Sequence, residues 1–132
     1  PIGMGEQLRS HLAAGNAVGL HHRVFDIFRY AQRTDPAHPS LVQPLECADV
    51  PPGIRIFHIN GDEVDRVIEA FEAQGNDFAA GYNIVVPAWE LPAYPAEWAK
   101  KLRRFDETWA LSAFIQAALV PTRSTGALEP TR

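Results

Sequence analysis

The sequence predicts an α/β fold, a parallel sheet with flanking helices, and three stretches carry that reading. Ile54 to Ile59 is a run of strand formers that stops at the turn Asn60-Gly61-Asp62. The segment after it sets Val64, Val67, Ile68 and Phe71 at i, i+3, i+4 and i+7, with Asp65, Arg66, Glu69 and Glu72 on the other face, which is the pattern of a helix packed along one side. Tyr82 to Val86 is then an uninterrupted apolar run apart from Asn83, suited to a strand covered on both faces. A strand, helix, strand unit of this length requires a crossover, and parallel pairing follows.

The remaining elements are read around that unit. Met4, Leu8 and Leu12 mark an opening helix, Gly3 and Gly5 form a side-chain-free loop at its start, and Gly15 stands where a left-handed cap is expected. Such a loop exposes backbone donors at the positive end of a helix and suits an anion; the plainer alternative is a tight turn. Val18–Leu20 and Val24–Phe28 are short strand candidates, the second favoured. Between them His21 and His22 are neighbours, which on a strand point to opposite faces, so no metal site is expected. Residues 31 to 53 contain Pro36, Pro39, Pro44, Pro51 and Pro52 and read as a long surface excursion.

Asn60 followed by Glu63 fits a capping box, and Gly75 with Asn76-Asp77 closes the helix. Pro87, Pro92 and Pro95 make the segment after the Tyr82 strand irregular, and it carries Trp89, Glu90 and Tyr94. Trp98, Leu102 and Phe105 mark the next helix, whose opposite face holds Lys100, Lys101, Arg103 and Arg104. Glu107–Leu111 reads as a short strand, and Ser112 as the cap of a last helix that buries Phe114, Ile115, Ala118 and Leu119. The pattern is lost from Pro121, giving one domain over 1–120 and a tail over 121–132.

Composition narrows the class. A formal charge of −4 without a long basic run argues against nucleic acid as partner. No apolar run approaches the roughly 20 residues that span a bilayer, and no leader pattern opens the chain, so no membrane span and a cytoplasmic location are expected. The single cysteine, Cys47, has no partner for an internal disulfide and reads as an idle thiol.

Several short motifs in order resemble the N-terminal domain of the group 1, or family 4, glycosyltransferases, which have two Rossmann-like domains (the GT-B fold). They are Gly3-Met4-Gly5-Glu6, Ile59-Asn60-Gly61-Asp62, Tyr82-Asn83-Ile84, Trp89-Glu90-Leu91-Pro92, and Glu107-Thr108-Trp109 followed by Ser112-Ala113-Phe114. The resemblance implies a Rossmann-like parallel sheet lacking its first strand, because the family has a strand immediately before the glycine loop. It implies transfer of a sugar from a nucleotide-sugar donor to the hydroxyl of a sugar or glycan acceptor. No cofactor and no metal are expected.

On that resemblance Gly3 and Gly5 would contact the donor phosphate, and His58, Asn60, Trp89 and Glu90 would line the acceptor side. The alternatives are that His58 is a satisfied structural histidine, Trp89 belongs to the core, and Glu90 caps a turn. The second domain and its acidic motif have no counterpart here, so the chain by itself is expected to be inactive and to be part of a larger enzyme. A non-catalytic α/β regulatory or partner-binding module is the rival. A doubly wound hydrolase or dehydrogenase is disfavoured, since no Gly-x-Ser-x-Gly elbow is present and Gly3-Met4-Gly5-Glu6 lacks a third glycine. The missing central strand would leave backbone groups unpaired, which predicts either direct closure of Val24–Phe28 on Ile54–Ile59 or, as favoured, a homodimer.

Overall fold

Among the described residues three parallel strands form the sheet: β1 (Ile54–Phe57), β2 (Tyr82–Val85) and β3 (Glu107–Thr108), in spatial order β1-β2-β3. The computed structural model describes residues 2–28 and 47–127; most of the expected proline-rich excursion and the last residues of the expected tail lie outside them. In β1 and β2, Ile54 pairs with Tyr82 and Phe57 with Val85; Val85 also pairs with Thr108 of β3. Among the described residues the α-helices are α1 (Ile2–Ala17), α2 (Val64–Ala73), α3 (Ala96–Leu102) and α4 (Ala113–Ala127). The predicted α/β class with a parallel sheet and flanking helices is therefore what the chain adopts.

α2 forms as its stripe dictates. Val64, Val67, Ile68 and Phe71 are all buried. Its N-terminal approach is a single 3-10 turn, Gly61–Glu63, with the predicted capping box; the Glu63 carboxylate accepts from the Asn60 backbone N–H at 3.0 Å. At the other end Gly75, at φ 89°, donates to Glu72 O, and Asn76 donates to Phe71 O. Those two bonds are the Schellman pattern, which needs a residue tolerant of the left-handed region. α1 ends the same way, but on Gly19 (φ 77°), with Gly19 bonded to Asn16 O and Leu20 to Gly15 O. Gly15 is inside the helix, so the expected cap there is corrected: the helix runs one turn further.

The core between sheet and helices is aromatic. Phe57 meets Phe71, Phe78 and Phe105 edge to face at centroid distances of 5.7, 5.7 and 5.3 Å, and Phe78 meets Phe105 at 5.4 Å. Beside them Arg55 of β1 is buried, donating to Asn83 Oδ1 at 2.8 Å and to the carbonyls of Asp77 (2.9 Å) and Phe78 (2.5 Å). Gly81 leaves room for it, since a Cβ there would overlap the guanidinium. Burial lowers the Arg55 pKa from its ordinary value, while Asp77 and Asp106 oppose that shift.

Several expectations are corrected. Val24–Phe28 is not a strand: Val24 makes one isolated bridge, accepting from Cys47 N–H at 2.9 Å. Phe25, Ile27 and Phe28 pack on the main core from outside instead, with Phe25 edge to face on Phe71 and Arg66 over the Phe28 ring. Consequently β1 does not close on that segment; its neighbour is β2. The strand at 107–111 is only Glu107–Thr108. Ser112 does cap α4, accepting from Ile115 N–H at 3.2 Å, and Ile115, Ala118 and Leu119 are buried, but Phe114 is 50% exposed. The helical backbone of α4 continues beyond Pro121 to Ala127.

Candidate functional site

In parallel sheets the residues that follow each strand collect at one edge, the carboxyl rim. His58 directly follows β1, and Trp109 directly follows β3, its backbone N–H donating to Val85 O at 2.9 Å. The Trp109 indole N–H donates to Glu107 Oε2 at 2.6 Å, and the Tyr82 hydroxyl donates to Glu107 Oε1 at 2.7 Å. One face of α1 lies against this rim. Residues 7, 11 and 15 are spaced by one turn, so they share that face.

Along that face Gln7 Oε1 is 3.5 Å from His58 Nδ1, a long contact. The His11 ring is edge to face with His58 at 5.6 Å and with His22 at 5.5 Å, and parallel to Trp109 at 6.2 Å. Burial, with His11 adding to it, pushes the His58 pKa down to about 4. His11 is lowered as well, by burial first and His22 second. Both imidazoles are neutral near pH 7, and a neutral ring has one nitrogen able to accept a proton.

Gly15 explains how His22 reaches His11. A Cβ at residue 15 would overlap the His22 ring, so the bare helix surface is the seat on which the ring rests. Gly15→Ala is expected to displace His22 and to lose about 1–3 kcal/mol of stability through overpacking, against a gain of about 1 kcal/mol in helix propensity. Urea unfolding together with the His22 ring proton shifts checks this: an unchanged shift with a raised midpoint would mean that the ring is not seated there.

The other candidates stand apart from that cluster. Asn60 Oδ1 accepts from Ala88 N–H at 3.0 Å, tying the end of β1 to the loop after β2. Trp89 is half-buried, donates through its indole to Ala93 O at 2.9 Å, and is edge to face with Tyr94 at 4.9 Å and Trp98 at 5.5 Å. Tyr94 is 2% exposed and its hydroxyl accepts from Gly61 N–H at 2.8 Å; burial raises its pKa to about 12. Asn60 and Trp89 thus hold the proline-rich loop in shape, while Glu90 is exposed on it. Gly3 and Gly5 sit within the first turns of α1, which begins at Ile2, so they belong to the helix start and not to a loop before it.

Sequence reasoning brought out His58 but not Gln7, His11 or Trp109 as its neighbours. The only signal was the one-turn spacing of Gln7, His11 and Gly15, three residues that are polar or small and so read as a solvent face. His22 appeared with His21 as an adjacent pair, although its partner in space is on α1. Among the described residues no group of three His, Cys, Asp or Glu is arranged to hold a metal ion, and no helix is long and apolar enough to cross a membrane. No protein-family model, curated protein or solved structure matches the chain.

Proposed function

We propose that this chain is the acceptor-side domain of a sugar transferase that uses a nucleotide-sugar donor. What supports the reading is the carboxyl rim of a parallel sheet, where His58 and Trp109 meet α1, together with the ordered motifs of the sequence. Open α/β sheets bind ligands at that edge. An acceptor hydroxyl would attack the anomeric carbon as the bond to the departing diphosphate breaks, and the hydroxyl proton would pass to a base. His58, on this rim and neutral near pH 7, would accept it as a base weakened by burial. Glu90 would bond acceptor hydroxyls, and the backbone at Gly3 and Gly5 would face donor phosphate. A non-catalytic module is the second reading, favoured by the structural bonds that already occupy Asn60 and Trp89.

Gly5→Val separates the two. A Cβ at residue 5 meets only Arg9 Nη2, at an ordinary 3.7 Å, so the variant is expected to fold with a melting temperature close to the parent's. In an isotope-labelled chain, uridine diphosphate is expected to shift the amides of α1's first turn in the parent and not in Gly5→Val. Simple hexoses are expected to shift His58, Glu90 and Trp109 in both. No response to any nucleoside diphosphate or sugar at millimolar concentration would discard the transferase reading in favour of the module.

A further inference from the structure

We propose that His11, His22 and His58 form an acid-released latch that holds α1 on the carboxyl rim of the sheet. The device needs no sugar ligand and stands independently of the transferase reading. Its first ground is what holds the helix among the described residues. Leu12 is buried and Leu8 half-buried against Val24, and this small cluster is separate from the main core. The rest of the docking face is Gln7, His11 and Gly15, laid on His58, His22 and Trp109.

The second ground is the arrangement of the rings. His11 touches both other imidazoles, and protonating it together with His58 sets two like charges 5.6 Å apart in a partly dry junction. Among the described residues no carboxylate pairs with any of the three rings. Glu107 on β3 is occupied by the Tyr82 hydroxyl and the Trp109 indole. On α1, Glu6 is paired with Arg9; on β1, Arg55 is turned to Asn83 and Phe78; Asp106 accepts from Asn83 N–H. His21 and Arg23 flank His22 and are exposed. His22 Nδ1 is buried without a hydrogen-bond partner, so a charge on these rings gains no ion pair among the described residues.

The direction follows from linkage. Burial holds the His11 and His58 pKa values below 6.5 in the docked state, so the released state binds more protons. Docking is complete above about pH 6.5 and weakens as the pH falls toward about 4, where His58 itself titrates. Acidification would lift α1 and uncover the rim, while β1, β2 and α2 stay packed through the phenylalanine core.

Amide hydrogen exchange tests this, read as α1 relative to α2 after correction for intrinsic rates. Between pH 7 and pH 4 the opening of residues 8–17 is expected to rise on the order of 100-fold more than that of α2 in the parent chain. In a double variant, His11→Gln with His58→Gln, the α1 to α2 ratio is expected to be flat with pH. Should that variant fail to fold, titration of the His58 ring protons in the parent decides: a midpoint below about 5 supports the latch. A midpoint at or above 6.5, or equal acid response of α1 and α2, overturns it.

Discussion

Arg55→Ala is expected to lower the unfolding free energy by about 3–5 kcal/mol, from a buried acceptor left without its donor together with the void left behind. Its guanidinium donates to Asn83 Oδ1 and Phe78 O in a buried region and to Asp77 O nearer the surface. Truncation leaves the buried Asn83 Oδ1 without its donor and opens a void beside Phe71, over whose ring the guanidinium lies at 5.2 Å. Arg55→Met, which refills the volume, is expected to recover only part of the loss, because Asn83 Oδ1 remains without a donor. Arg55→Lys keeps the charge but cannot reproduce three donors in a planar fork. Urea midpoints of the three variants check the order Ala, then Met and Lys; a methionine variant as stable as the parent would show that the polar network contributes nothing net.

Gly61→Ala is expected to be nearly as damaging, at about 3 kcal/mol. An added Cβ would stand 2.7 Å from the Trp98 carbonyl oxygen and 2.8 Å from its Cα. These are backbone atoms of α3 and cannot swing aside. Relief would push α3 off the Gly61–Glu63 turn and stretch the bond from Gly61 N–H to the Tyr94 hydroxyl. Asp62→Ala, one residue on and exposed, is the control, expected within about 0.5 kcal/mol. Near-ultraviolet circular dichroism of the Trp89, Tyr94 and Trp98 cluster should weaken in the first variant alone; an unchanged aromatic signal in Gly61→Ala would mean that α3 does not pack as closely as described.

Much of the fold was legible because local pattern and tertiary role agreed. Val64, Val67, Ile68 and Phe71 are spaced for a helix and are buried as one. Asn83 within the Tyr82 run is also buried, satisfied by Arg55 and by its own bond to Phe78 O. Val24 to Phe28 misled because β-branched and aromatic residues suit any half-buried surface, not only a pleated one; here they cover α2. Phe114 misled through phase: it is next to Ile115 but on the open side of α4. In the candidate site His58 could be found at a strand end, while His11 could not, since its importance comes from a helix laid over that rim and from a glycine one turn later that admits His22. Contacts across elements leave no trace in spacing along one of them.

Phe57 touches Phe71, Phe78 and Phe105, and no two of those rings lie flat on one another. Edge-to-face packing makes the tilt of each ring a condition for the tilt of the next. Such a cluster resists piecemeal drift. A leucine at any one of these positions leaves its neighbours facing a void of the wrong shape, whereas a matched pair of changes can rebuild the contact, so the effects of single changes do not add. Descendants of this sequence would therefore keep the four rings together or exchange them in concert, and the history of the domain would be written in correlated replacements at 57, 71, 78 and 105, four positions spread across nearly fifty residues of chain.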